Sequence, residues 1–281
     1  MSFGPTTTSL QRTYRYLRIA IALTVVVILV AAAVEVPQSG VLRSISHFAY
    51  TPARTMFVGA LIAASACLFA LSGRGIQRAL LDAAALFVPL IAIVPTVISP
   101  GAVPGVEVDC ASACVPAPYA AGVDNGVITY LIVGGLIVVL ASVLIAFGQV
   151  DRAGGMLSLA VAVIVLLGVG LAWGLWRAQF LQWTHYVAAA VFFALIAAVA
   201  FVEAFWPSGA RPVPRWLRVS YIVIAIALVI DVLLLAMFGR VRFGEVYGVL
   251  IGEVVALGLF LAFWVLQSVQ NWNDHDPASL R

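Results

Sequence analysis

Ser44-Ile45-Ser46-His47-Phe48-Ala49-Tyr50-Thr51-Pro52-Ala53-Arg54 is a polar, aromatic stretch, and the apolar run 55–71 follows directly behind it. The stretch reads as a loop that ends at Arg54 and then enters a membrane span. Runs of this kind are long enough to cross a hydrocarbon layer about 30 Å thick as helices. They recur along the chain at roughly 18–36, 54–72, 80–98, 127–147, 156–176, 184–206, 216–238 and 246–268. Helices are required because hydrocarbon offers the backbone of an open chain no other hydrogen-bond partner. The expected fold class is all-α, a polytopic transmembrane bundle of about eight spans. Residues 1–281 form one integral membrane domain, with a polar segment at 1–16 and a polar tail at 269–281. The first run is too long for an ordinary signal sequence and lacks a convincing cleavage signal, so it is read as a span.

Composition agrees with this reading. The chain is 64% hydrophobic and 10% charged, too few charges to cover a water-facing surface. All 15 basic residues are arginine, which excludes chemistry that needs a lysine Schiff base. The net charge of +3 is spread over loops and speaks to orientation, not to a nucleic-acid partner. Eight spans put both termini on one side. Ten arginines fall on that side and five on the other, which places both termini in the cytoplasm of a bacterial cell with the chain in its inner membrane.

The one long loop, 99–126, then lies outside the cytoplasm. It carries Cys110 and Cys114, where a disulfide can persist; two free thiols are the other reading. Gly170-x-x-x-Gly174 and Gly244-x-x-x-Gly248-x-x-x-Gly252 put small residues on single helix faces. Such faces serve close packing within a bundle or a homo-oligomer.

Charges inside spans are expensive and are functional candidates by default. Asp231 and Glu253 each lie seven residues from a span end, about 10 Å below the boundary at the helical rise. Arg54 and His185 start their spans on the same side, with Thr51 and His47 in the loop above. One reading is an outward-facing polar pocket in which Arg54 binds an anionic head group and His185, Asp231 and Glu253 handle protons. The other is a set of hydrogen bonds and ion pairs that lock helices together. Asp82 and Glu203 lie near span ends at the depth of Arg74, Arg78, Arg211 and Arg215, and read as interfacial ion pairs.

No phosphate loop, zinc helix or nucleophile elbow is present, so no catalytic residue, metal site or cofactor is assigned. The leading function is binding or processing of a membrane lipid or lipid-linked substrate. The alternatives are a proton-coupled small-molecule transporter using Asp231 and Glu253, or a non-catalytic structural membrane subunit.

The stretch from Ile45 to Arg54, followed by Phe57-Val58-Gly59, resembles a Ser-aromatic-Thr-Pro-x-Arg block of bacterial multi-pass membrane proteins of unknown function. Pro95-Thr96 and His185-Tyr186 with Phe192-Phe193 are similar too. The histidine-to-Phe-Phe spacing and the run from Val246-Tyr247 to Glu253 resemble, more distantly, the FRAG/DRAM/Sfk family. That group includes GPI-anchor remodelling and lysosomal membrane proteins. Its members have six spans, two fewer than are read here. The resemblance implies a lipid-related role and no particular reaction.

Overall fold

A computed structural model describes residues 9–72, 75–149, 152–207, 213–238, 241–243 and 246–272. Arg74, Arg211, Arg240, Gly244, Glu245 and the tail from 273 onward lie outside the described residues. The helices are α1 (Ser9–Ser39), α2 (Arg54–Ala70), α3 (Gly75–Ile93), α4 (Ala117–Ala146), α5 (Arg152–Leu175), α6 (Arg177–Phe205), α7 (Arg215–Phe238) and α8 (Gly248–Gln270). A 3-10 helix, η1 (Ile45–Tyr50), precedes α2, and a small antiparallel hairpin pairs Arg242 with Tyr247 just before α8. Among the described residues, seven helices are long and apolar enough to cross a membrane. α2 is shorter at 17 residues, about 25 Å of helix. The chain is an all-α multi-pass membrane protein.

Six helices close a ring in the order α1, α2, α3, α6, α7, α8, with α8 packed back on α1. The α4–α5 hairpin stands outside the ring against α3. α3 is therefore covered on two sides, and twelve of its residues are buried. α4 and α5 instead expose Ile132, Leu136, Leu140, Ile164, Leu167 and Leu171, as helices facing lipid on most of their circumference do.

Where helix backbones come close, glycine makes the room. A Cβ on Gly252 would collide with the side chain of Leu235, which fixes how tightly α8 meets α7. The face ending in Gly252 is thus used within the bundle at that residue. Gly134 does the same for α4 against α5, since a Cβ there would fall 2.6 Å from Leu166 Cδ2.

Helix ends depart from the sequence reading at four places. α1 begins at Ser9, inside the segment read as polar, and its first turns meet the end of α8: Arg15 Nε donates to the Trp272 carbonyl at 2.8 Å and its guanidinium lies over the Trp272 ring. α3 stops at Ile93, two residues before Pro95, whose ring disfavours helix in the residue ahead of it. α4 starts at Ala117 behind Pro116, so Tyr119, Gly122 and Asp124 are helical instead of belonging to the loop. α6 starts at Arg177, leaving only Trp176 between it and α5. In the last two cases polar residues hide the helix start from a hydrophobicity reading. Asp124 accepts from Arg177 Nη2 at 2.6 Å and from Trp173 Nε1 at 2.9 Å, tying α4 to the α5–α6 junction.

Candidate functional site

The site is built on η1. Behind α1 the chain turns at Gly40, whose φ of +72° suits a residue without a Cβ. Ser44 then caps η1, its hydroxyl oxygen accepting from the Ser46 backbone N–H at 3.0 Å. All six residues of η1 are buried. The element packs on α1, α2 and α8 and so plugs one end of the ring. A 3-10 turn folded inward needs partners for its polar groups, and the neighbouring helices supply them.

Glu253 of α8 is the principal partner. Its carboxylate accepts from Ser44 Oγ at 2.7 and 2.8 Å, from the Ile45 backbone N–H at 2.5 Å and from Ser46 Oγ at 3.0 Å. His185 of α6 reaches the same serine, with Nε2 2.8 Å from Ser46 Oγ. The other ring nitrogen, Nδ1, is 2.8 Å from the Val94 carbonyl at the end of α3. A carbonyl only accepts, so Nδ1 carries a proton. Ser46 is thus the hinge between an acid and an imidazole contributed by two different helices.

His47, the next residue of η1, is buried, with Nδ1 lacking a hydrogen-bond partner among the described residues. Burial pushes its pKa down to about 4; the positive charge of Arg43 and the nearby His185 add to this, and the Val97 carbonyl opposes it. At neutral pH the ring is neutral.

The far end of η1 leads to Arg54. Tyr50 donates to the Thr96 carbonyl at 2.6 Å, and Thr96 donates to Tyr186 of α6 at 2.7 Å. Burial raises the Tyr50 phenol above its ordinary pKa, so it stays a donor. Tyr119 meets the Tyr50 ring edge-on at 4.7 Å and donates to the Tyr50 carbonyl. The guanidinium of Arg54 lies 5.6 Å from the Tyr119 ring centroid. Arg54 is half-buried and has no carboxylate partner among the described residues. Thr51 Oγ1 donates to the Phe48 carbonyl and accepts from the Ala53 N–H, turning η1 into α2. Its hydroxyl is spent on the backbone.

The loop from 94 to 116 lies at this end. Ile98 and Cys114 exchange backbone hydrogen bonds of 2.9 and 3.1 Å, and Cys110 is disulfide-bonded to Cys114. The bridge closes a short loop and so fixes it locally.

Of the residues the sequence groups together, the fold brings His185 and Glu253 to a common serine. Arg54 stands at the other end of η1, joined to that cluster through Tyr119 and Tyr50. Asp231 takes no part in the hydrogen bonds described. Leu235 faces Gly252, and Asp231, one turn deeper by about 6 Å, keeps Oδ2 buried without a partner among the described residues. Ser44 and Ser46 are the residues that sequence reading misses. Serine is common in loops and carries no signature. The available clue is the need of Glu253, an acid inside a span, for donors.

Glu203 requires a correction. It is fully buried, not interfacial. Its carboxylate accepts from Gln77 Nε2 of α3 and Gln270 Nε2 of α8, both at 2.8 Å, and Tyr221 of α7 donates to Gln270 Oε1 at 2.6 Å. Four ring helices meet at this acid. The last turn of α6 places it inward, where the Gln77 and Gln270 amides are among its partners. Asp82 is buried as well, not interfacial, although it does pair with Arg78, at 3.5 Å along α3.

Among the described residues, no group of three or more His, Cys, Asp or Glu side chains is arranged to hold a metal ion. Comparison with protein-family models, with curated proteins and with solved structures found no match to this chain.

Proposed function

We propose that this protein binds the anionic head of a membrane lipid or lipid-linked substrate at the η1 end of its six-helix ring, with Arg54 as the cation. The reading places that end on the extracytoplasmic side of a bacterial inner membrane, as the arginine distribution suggests. One observation carries it: a half-buried guanidinium rests on the Tyr119 ring with no acid among the described residues to neutralise it. Two other described arginines are engaged by acids, Arg177 by Asp124 and Arg78 by Asp82, while Arg43, just ahead of η1, lies over the Tyr247 ring. A guanidinium stays charged when partly desolvated and presents a fork that fits phosphate or carboxylate. The aromatic face beneath it favours the cation without neutralising its charge.

The resemblance to the FRAG/DRAM/Sfk group supports a lipid ligand, and the six helices of the ring equal the span number of that group, with α4–α5 as an addition. Transport is the second reading. It is favoured by Asp231, whose unpartnered buried oxygen inside a span suits a group that binds and releases a proton.

The test is retention of anionic lipid. Purified protein in mixed nanodiscs should enrich phosphatidylglycerol over phosphatidylcholine, and Arg54→Ala should lower that enrichment about fivefold, on the order of 1 kcal/mol for one interfacial cation. Arg54→Lys should recover part of it. Equal enrichment in the wild type and Arg54→Ala would remove Arg54 from the site.

A further inference from the structure

The hydrogen bonds around Ser46 impose a proton count. His185 Nδ1 faces a carbonyl at 2.8 Å and must donate. Ser46 has a single hydroxyl proton, and two groups contact its oxygen: His185 Nε2 at 2.8 Å and Glu253 Oε1 at 3.0 Å. With Glu253 ionised and His185 neutral, both groups only accept, and one of the two contacts is left without a proton. One additional proton removes the conflict, and it does so in two ways. Either Nε2–H donates to Ser46 Oγ while Ser46 donates to the carboxylate, or the protonated Oε1 donates to Ser46 Oγ while Ser46 donates to Nε2.

We infer that Glu253, Ser46 and His185 form a proton-exchange site that holds one proton and passes it between the acid and the imidazole through the serine hydroxyl. In the transfer, the Oε1–H bond of Glu253 breaks as its proton joins Ser46 Oγ. The Ser46 O–H bond breaks as that proton joins His185 Nε2. The start is a neutral acid and neutral ring, the end a carboxylate and imidazolium, and the net charge is the same. Ser44 Oγ and the Ile45 N–H point at the carboxylate and remain donors to it in both states.

The surroundings fit such a site. Ser46 and His185 are buried and Glu253 is partly so, which keeps the exchange within the protein. Arg43 ahead of the plug, His47 and Tyr50 within it and Tyr186 of α6 surround this end; Glu35, Arg54 and Asp231 lie on the flanking helices α1, α2 and α7. None of these donates to or accepts from Ser46 or Glu253 in the hydrogen bonds described, and Glu35 is engaged by Ser39 Oγ at 2.6 Å. The inference does not depend on what Arg54 binds.

The full chain in nanodiscs tests it, with infrared spectroscopy reading the protonated-carboxyl band and magic-angle NMR of isotope-labelled histidine reading Nε2. Loss of the band in Glu253→Gln, or its shift in Glu253→Asp, assigns it; His47→Gln separates the two buried histidines. At neutral pH the protonated fractions of Glu253 and of His185 Nε2 should sum to one proton per chain, and both should disappear together as pH is raised. Ser46→Ala should uncouple them, so that the two groups titrate separately. A carboxylate facing a neutral ring in the wild type at neutral pH, or two protons held there, overturns the inference. If Ser46→Ala yields no folded protein, the wild-type sum decides by itself.

Discussion

Glu253 and Glu203 are two acids placed at opposite ends of one ring, and they are held by different chemistry. Glu203 is fully buried and receives two glutamine amides, from α3 and α8. Glu253 is partly buried and receives two hydroxyls and a backbone N–H from an inserted 3-10 turn. An amide nitrogen donates and does nothing else, so the Glu203 end is a fixed lock across four helices. A hydroxyl donates and accepts, so the Glu253 end can change its proton arrangement without moving atoms far. The ring is rigid where the chain ends meet and adaptable where the plug and Arg54 sit.

The largest effect that probes this contrast is expected at the lock. Glu203→Ala leaves the buried Gln77 amide and the partly buried Gln270 amide without this acceptor. Each orphaned donor costs about 1–3 kcal/mol, so a loss of roughly 2–6 kcal/mol is expected. Thermal unfolding in detergent reads it directly. A variant as stable as the wild type would mean that the four helices do not depend on this acid.

Glu253→Gln should cost much less, about 1 kcal/mol. Its Oε1 can accept from the Ile45 N–H, and its NH₂ can donate to serine hydroxyls that turn to receive it. The same melting experiment compares the two variants. If Glu253→Gln unfolds as readily as Glu203→Ala, hydroxyl adaptability is not what distinguishes the two ends. Smallest of all is Asp82→Asn, which removes the charge of a buried acid from a long, 3.5 Å i,i+4 pair with Arg78 but keeps its size and an acceptor. Along-helix pairs of this spacing contribute about 0.2–0.5 kcal/mol, and a much larger drop in stability on melting would show a deeper role for Asp82.

The helices were legible because each is a long apolar run, and the buried acids were legible as charges in the wrong solvent. What escaped was direction around the helix axis. Seven residues from a span end fixes the depth of Asp231 and of Glu253, but not that Glu253 turns toward Ser44 and Ser46 while Asp231 shares a helix face with Leu235. The same limit applies to Glu203: depth near a span end suggests an interfacial acid, and orientation turns it into the bundle toward Gln77 and Gln270. The serines of η1 were invisible because a polar turn before a span reads as a solvated loop. Only packing on α8 makes it a plug.

The most direct measurement of the contrast is hydrogen–deuterium exchange on the full chain in nanodiscs as a function of pH, corrected for intrinsic exchange. His47 is held neutral by burial, with its pKa lowered from 6.5 to about 4. Because the folded value lies below the unfolded one, this contribution is complete above about pH 6.5 and is lost as pH falls toward 4. Its full size is roughly 3 kcal/mol. Acidification through this window should therefore strip protection from amides 44–54 while peptides containing Gln77, Glu203 and Gln270 keep theirs. Uniform loss across both ends, or earlier loss around Glu203, would contradict the account.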